Sequence, residues 1–346
     1  MKTIDLKRII RPNIQLLKPY SSARDEFNGQ AQVFLDANES PFENGYNRYP
    51  DPHQRALKER IAELKGVRPD QLFLGNGSDE AIDLLYRMCC IPGKSNVVIP
   101  SPTYGMYTVS ADINDIAVRT VRLGSDFDLD VDAILGKVDE HTRLIFLCSP
   151  NNPTGNLLDA EKIAFIMSEF DGLVVIDEAY IDFTGQDSWT QWLNQFQNLV
   201  VLQTLSKAWG MAGLRLGLAM ASAELIRYMD RVKPPYNISS ATQHLALSQL
   251  SQVGRKDEWV ASIVKERARL RQDLERISRV EMIYPSQANF ILCKMQNAAA
   301  VYEYLIAHGV VVRDRSAVAG CENCLRISVG TPEENTLLIE LMKRYA

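Results

Sequence analysis

The chain has 346 residues, 46% hydrophobic and 23% charged, with 38 Lys and Arg against 43 Asp and Glu for a net charge of −5. That length suggests about two domains and excludes a small stapled scaffold, and the near-average composition excludes wholesale disorder. The mild acidity supplies no overall attraction for nucleic acid or anionic lipid, and six sparse cysteines with no apolar stretch of signal-peptide or membrane-spanning length point to a soluble, reduced, cytoplasmic protein.

Residues 1–17 mix Lys2, Lys7, Arg8 and Arg11 into apolar positions and never build a continuous apolar core. From Gln54 onward, helical stretches alternate with short β-branched runs, the pattern of βαβ units and a mainly parallel sheet. Leu57, Ile61 and Leu64 share one helical face ahead of Gly66, a predicted C-cap. Leu72–Leu74 then reads as a strand, Asp79–Met88 as a helix and Asn96–Ile99 as the next strand. Leu144–Cys148, Leu173–Ile176, Leu199–Gln203 and Leu216–Met220 follow as buried strands.

Beyond residue 235 the texture changes to a charged amphipathic stretch, Lys256–Ile277, with short strands expected at Val280–Tyr284 and Asn289–Cys293. A smaller α+β domain is therefore expected over 236–346. Its last helix opens on Thr331-Pro332-Glu333-Glu334, a capping-box pattern with Pro at the first helical position.

The chemistry-bearing residues cluster in turns that follow predicted strands, where open α/β sheets place their ligands. Gly75-Asn76-Gly77-Ser78-Asp79-Glu80 is a small-residue turn feeding a helix start, suited to a phosphate. It lacks the third glycine of a dinucleotide fingerprint, and Gly93-Lys94-Ser95 fails as a P-loop because Met88 occupies the first required Gly. After the next strands come Ser149-Pro150-Asn151-Asn152-Pro153-Thr154-Gly155, Asp177-Glu178-Ala179-Tyr180, Thr204-Leu205-Ser206-Lys207 and Gly213-Leu214-Arg215. A lysine at the end of a buried strand, hemmed by hydroxyls and glycines, is poorly placed for solvation alone.

In order and spacing, Asn151–Gly155, Asp177–Tyr180, Ser206-Lys207 and Gly213–Arg215 resemble the fold-type I aminotransferases that use pyridoxal 5′-phosphate. Leu17-Lys18-Pro19-Tyr20, Leu35–Glu39, Asn47-Arg48-Tyr49-Pro50, Ser101–Tyr107 and Leu325–Gly330 narrow the resemblance to the histidinol-phosphate aminotransferases. The resemblance covers nearly the whole chain. It implies an α/β fold with a large, mainly parallel α/β/α cofactor-binding domain over 35–235 and the smaller α+β domain, with residues 1–34 packing against the small domain and the substrate site.

The same resemblance implies that Lys207 carries the cofactor covalently and acts as general acid and base, and that Asp177 pairs with the protonated pyridine nitrogen. Asn152 and Tyr180 are expected on the ring's phenolic oxygen and Tyr104 on the ring face. Gly77, Ser78 and Asp79 through backbone amides, Thr204 and Ser206 through hydroxyls and Arg215 through its fork are expected on the cofactor phosphate. Tyr49 would reach that phosphate from a partner subunit, which implies a homodimer with shared active sites.

Arg326, expected on the penultimate strand of the small domain, would hold the anionic end of substrate, helped by Tyr20 and Arg313, with Asn38 on the substrate side. The implied reaction is transamination between L-histidinol phosphate and 2-oxoglutarate, giving imidazole acetol phosphate and glutamate, a step of histidine biosynthesis. A threonine-phosphate decarboxylase or an aromatic-amino-acid aminotransferase shares the Lys207, Asp177 and Arg215 framework. A pyridoxal-phosphate-sensing transcription regulator would need a DNA-binding module, for which the roughly 35 residues before Leu35 leave no room. Cys321-Glu322-Asn323-Cys324 has CxxC spacing but no second ligand pair, so it reads as a loop beside the Arg326 strand and no metal site is expected. His308, ahead of Gly309, reads as a helix C-terminal residue.

Overall fold

The computed structural model describes residues 2–21, 26–27 and 31–345. Seven strands form the larger sheet: β1 (Leu72–Asn76), β2 (Asn96–Ser101), β3 (Ala117–Arg122), β4 (Thr142–Cys148), β5 (Leu173–Asp177), β6 (Leu199–Thr204) and β7 (Leu216–Met220). Four form the smaller: β8 (Val280–Ile283), β9 (Phe290–Met295), β10 (Arg313–Asp314) and β11 (Cys324–Ser328). The helices before β4 are α1 (Leu6–Ile9), α2 (Pro12–Gln15), α3 (Arg55–Lys65), α4 (Ser78–Cys89), α5 (Met106–Ile113) and α6 (Val131–Leu135). Those after it are α7 (Ala160–Glu169), α8 (Ala223–Val232), α9 (Ser240–Leu250), α10 (Val253–Leu274), α11 (Ala298–Ala307) and α12 (Pro332–Arg344). No helix among the described residues is long and apolar enough to cross a membrane.

The large sheet has the order β1-β7-β6-β5-β4-β2-β3. Only β7 runs against its neighbours, pairing antiparallel with both β1 and β6. The side-chain period of two sorts the strand residues onto two faces. Phe73, Val97, Phe146, Val175 and Leu202 pack under α4, α5 and α8, whereas Leu72, Leu74, Ile145, Ile176 and Val201 pack under α3, α7 and α9. Both faces are covered, which is why these strands read as continuous apolar runs rather than alternating ones. β3 is the exception: an edge strand with the sequence Ala-Val-Arg-Thr-Val-Arg and mostly uncovered, it carries no apolar run and is not legible as a strand.

Helix ends follow local chemistry. Gly66 closes α3 with a left-handed φ of 64°, and the Thr331 hydroxyl accepts the Glu334 amide while Glu334 accepts the Thr331 amide, completing the expected capping box of α12. The long amphipathic helix begins earlier than the charge pattern suggests, at Val253, and ends at Leu274. His308 sits at the C-cap of α11.

The small sheet is antiparallel throughout, in the order β10-β11-β9-β8. Ile291, Cys293, Leu325 and Ile327 face α10, α11 and α12. The other face turns toward the large sheet, where Phe290 packs on Tyr180, Phe183 and Ala208 and Leu292 packs on Phe127, Cys321 and Cys324. Arg326 lies on β11, the last strand and not the penultimate one, because the chain beyond Ser328 is turned into the capped helix α12.

Residues near the N-terminus also depart from expectation. Leu6, Ile9, Ile10 and Ile14 pack into the core cluster with Phe73, Leu85, Ile226 and Met229, so this stretch clamps the large sheet's helical layer rather than the small sheet. Lys2 bridges to Phe196 and pairs with Asp171 at 2.7 Å. Within the expected 1–34 segment, Met1, residues 22–25 and residues 28–30 lie outside the described residues.

Candidate active site

The C-terminal ends of β1, β4, β5 and β6 and the start of the reversed β7 converge on one cavity of about 410 Å³. Cys148 and Asp177 end adjacent strands in register, and Thr204 faces Gly217 across β6 and β7. The small sheet closes the cavity with Arg313, Arg315 and Arg326. Of the sequence-derived candidates, Gly77, Ser78, Asp79, Tyr104, Asn152, Asp177, Tyr180, Thr204, Ser206, Lys207, Arg215, Arg313 and Arg326 all line it.

Asp177 is buried, and its two oxygens have separate partners: Oδ2 accepts the Tyr107 hydroxyl at 2.7 Å and Oδ1 accepts the Ala179 amide at 3.0 Å. No cation pairs with it among the described residues, and burial raises its pKa despite those two bonds. Lys207 opens onto the same cavity, with Nζ 5.9 Å from the centre of the Tyr180 ring. Desolvation lowers its pKa, and the like charges of Arg326 and Arg215 lower it further against the pull of Asp177 and Asp79. Burial raises the phenols of Tyr104 and Tyr180.

The β1–α4 turn is seated by two glycines. A Cβ on Gly217 would lie 2.0 Å from the Ser78 nitrogen, and one on Gly77 would lie 2.7 Å from Arg215 Nη2. The turn thus presses onto β7 and leaves a cradle beside the Arg215 guanidinium. Arg215 itself adopts a left-handed φ of 54°, and its carbonyl accepts the Gly77 amide at 2.7 Å. This corrects one expectation: the Gly77 amide is already bonded and is not available to a phosphate. The first-turn amides of Ser78 and Asp79 have no acceptor within α4, as at any helix N-terminus. Asp79 faces both the Tyr104 hydroxyl, at 3.0 Å, and Arg215 Nη2, at 3.6 Å. Thr204 Oγ1 accepts the Ser206 amide at 3.1 Å and donates only a long bond to the Leu216 carbonyl, at 3.5 Å.

Asn152 Oδ1 accepts from Arg326 Nη1 at 2.5 Å, which leaves its amide nitrogen free to point at a ligand acceptor. The Arg326 guanidinium also lies 5.2 Å from the centre of the Phe290 ring, and its Nε is buried without a partner.

Three expected residues are not brought to this cavity. Tyr20 and Asn38 are exposed and line none of it. Tyr49 is half exposed and stacks on Tyr236 at 4.5 Å, beside a separate groove with Glu39, Tyr46 and Arg48. The described residues of 16–49 carry many exposed apolar side chains, among them Leu16, Leu17, Tyr20, Leu35, Phe42 and Tyr46, and none of these residues packs into a core cluster.

The residues missed from sequence are Cys148, Ala179, Ala212 and Arg315 in the lining and Tyr107 behind it. Tyr107 belongs to the Ser101–Tyr107 motif, and Arg315 stands two positions from Arg313, the spacing of one strand face. Those were the available signals.

The donor set fits the phosphorylated pyridine expected from the motifs. A buried carboxylate lacking a cation suits a protonated ring nitrogen, a lysine with lowered pKa suits an aldehyde, and the cradle that a Cβ on Gly77 would fill lies beside a guanidinium and helix-start amides.

Comparison with known proteins adds three findings. The family model for aminotransferase class I and II matches residues 26–341. The histidinol-phosphate aminotransferases of Parabacteroides distasonis and Cytophaga hutchinsonii are 53% and 52% identical, each over 98% of this chain and covering 98% and 99% of those proteins. The crystal structure of histidinol-phosphate aminotransferase from Sinorhizobium meliloti in complex with pyridoxal-5′-phosphate superposes with a TM-score of 0.79 at 24% identity, over 86% of this chain and 84% of that one, a likeness of fold.

Proposed function

The chain belongs to the class I and II aminotransferases, and from that footing we propose that it transfers the amino group of L-histidinol phosphate to 2-oxoglutarate, with pyridoxal 5′-phosphate as cofactor. The observation that carries the substrate assignment is the pair Arg313 and Arg326, directly opposite each other across β10 and β11, lining the same cavity as Lys207. The relatives' common name agrees with it.

Lys207, Asp177, Asn152, Tyr180, Tyr104, Ser78, Asp79, Thr204, Ser206 and Arg215 would hold the cofactor, which when bound supplies an electron sink for charge left on the substrate's α-carbon. Asp177 would face the ring nitrogen and help retain its proton, a charge-assisted bond worth about 1.5–3 kcal/mol. Tyr107 and the Ala179 amide fix that carboxylate's orientation. Arg215 and the α4 start meet the cofactor phosphate with positive potential, and Asp79 keeps Arg215 in place from the side.

Lys207 Nζ moves the proton at the substrate's α-carbon. A lowered pKa favours this role, because a protonated amine can accept nothing. Arg326 and Arg313 bind the substrate's phosphate in one half-reaction and a carboxylate of 2-oxoglutarate or glutamate in the other, which a planar guanidinium fork accommodates in either case. Asn152 ties Arg326 to the cofactor-binding turn, coupling substrate seating to the ring's position.

The enzyme is proposed to act as a homodimer. Tyr49 would reach the cofactor phosphate of the other copy, and Tyr20, Asn38 and the exposed apolar side chains Leu16, Leu17, Leu35, Phe42 and Tyr46 would be covered and oriented by that contact. The test is an absorbance titration of purified protein with L-histidinol phosphate, followed by 2-oxoglutarate. Complete spectral conversion at low substrate and complete reversal support the reading. A response to phenylalanine alone, or carbon dioxide release from threonine phosphate, would move the function to another member of the family.

A further inference from the structure

β10 ends at Asp314, but the pairing continues one residue further, because the Arg315 amide donates to the Cys324 carbonyl at 2.8 Å. In a strand, residues two apart share a face, so Arg313 and Arg315 point the same way, and Arg326 stands directly opposite Arg313 on the neighbouring strand. All three line the cavity. Like charges opposite one another on a sheet face destabilise it, and here three guanidiniums are gathered without compensation: none of them pairs with a carboxylate among the described residues. Among the described residues, their only side-chain acceptor is the neutral oxygen of Asn152.

Two of the three also carry an orphaned donor. The Nε atoms of Arg315 and Arg326 are both buried and both unpartnered. A buried unsatisfied donor on a charged group is costly, and three positive charges gathered at one cavity favour an anion that the chain does not itself supply. A carboxylate brings two oxygens and one charge, which a single fork satisfies. A phosphate monoester brings three oxygens and −1.5 to −2 charges near neutral pH, matching three guanidiniums.

Resting on the function proposed above, we infer that Arg315 is a third arginine of the substrate subsite, which recognises the phosphate-ester dianion and sets the preference for it over an α-carboxylate. Arg313 and Arg326 serve both half-reactions, whereas Arg315 is engaged by the third oxygen and the second charge. Arg215 is not part of this group, since Asp79 balances it at the other anion position.

The experiment uses the holoenzyme, wild type and Arg315→Gln, with L-histidinol phosphate and L-glutamate measured separately as amino donors. Arg315→Gln is expected to raise the KM for the phosphate ester about 10-fold or more, the effect of losing one charge-assisted hydrogen bond, with a several-fold smaller change for glutamate. The rise of wild-type kcat/KM for the ester through its second ionisation, near pH 6, should flatten in the variant, and Arg315→Lys should recover part of both. Equal losses on the two donors, or no loss on the ester, overturn the inference.

Failure of the underlying reading looks different: the wild type would not turn over histidinol phosphate at all. Arg315 is then judged by calorimetric binding of inorganic phosphate to the holoenzyme, where weaker binding by Arg315→Gln supports the subsite and unchanged or undetectable wild-type binding overturns it. If the glutamine variant does not fold, Arg315→Lys decides by the same measurements, since it keeps the charge and loses the fork.

Discussion

The Tyr107 hydroxyl donates to Asp177 Oδ2 at 2.7 Å; both residues are buried, with Asp177 in the cavity lining and Tyr107 behind it. Tyr107 is itself braced by Phe146, stacked at 4.8 Å, and by the Tyr86 hydroxyl on its carbonyl at 2.8 Å. The acid proposed to face the cofactor is therefore oriented from behind by a side chain that does not line the cavity. Tyr107→Phe keeps the stack and removes the donor. It should destabilise the cofactor-free protein by about 1–3 kcal/mol, the cost of leaving a buried acceptor short of a partner, read as a lower Tm by calorimetry. An unchanged Tm would mean that the bond contributes no net stability.

Opposite pKa shifts at Asp177 and Lys207 give a pH signature in the cofactor-free protein. The Asp177 pKa is raised above 3.8, so the folded state binds the proton more tightly; its contribution is complete below 3.8 and is lost as pH rises through the folded value. The Lys207 pKa is lowered below 10.5, so the unfolded state binds more protons between the folded value and 10.5, and stability rises with pH across that window. Denaturant midpoints across pH, compared with those of Asp177→Asn and Lys207→Met, isolate the two contributions. The rate of pyridoxal phosphate attachment should rise with pH to a plateau reached below the value for free lysine. Replacing Arg326 by Gln, which removes a neighbouring positive charge, should move that plateau to higher pH. A plateau unmoved by Arg326→Gln would mean the guanidinium does not act on the amine.

Much of this was legible in the chain. Six of the seven large-sheet strands announce themselves because both faces are buried and the residues are apolar throughout, and the turns after them carry the polar residues that line the cavity. What escaped follows physical rules that one sequence does not display. β3 is half solvated and so has no apolar run, and the Gly77 amide is bonded only because Arg215 takes a left-handed turn that brings its carbonyl round. The spacing of two from Arg313 puts Arg315 on the same strand face, but which face turns to the cavity shows only once β10 is paired with β11. Tyr20, Asn38 and Tyr49 fall in a stretch with few buried anchors, where sequence motif and single-chain geometry part company.

Gly217 makes a sharp prediction because its role is steric. Its Cβ position lies 2.0 Å from the Ser78 nitrogen and 2.1 Å from the Gly77 carbonyl carbon, all backbone, so Gly217→Ala must displace the β1–α4 turn. Overpacking of this kind costs about 1–3 kcal/mol, occasionally more. The larger effect should be on the cofactor, since Ser78, Asp79 and Arg215 move with the turn. Retained pyridoxal phosphate, measured by absorbance after gel filtration, should fall well below the wild-type level while the far-ultraviolet circular dichroism spectrum persists. Full retention would show that the turn does not need its seat on β7.

The proposed sharing of sites between two copies is tested by complementation. If Tyr49 acts across the interface, a Lys207→Ala chain paired with a Tyr49→Ala chain has one site with both defects and one with neither. Each parent alone should be impaired, Lys207→Ala completely. Random reassociation in equal amounts makes half the dimers mixed, each with one intact site, so about a quarter of wild-type activity should return. If Tyr49 instead serves its own chain, every site in the mixture carries one defect or the other and activity stays at the parental average. The first outcome also accounts for why Tyr49 lies outside its own chain's cavity and stacks on Tyr236 beside an open groove. The second would require the segment around Tyr49 to fold inward onto Arg215 within one chain, and the exposed apolar side chains of residues 16–49 would then need another covering.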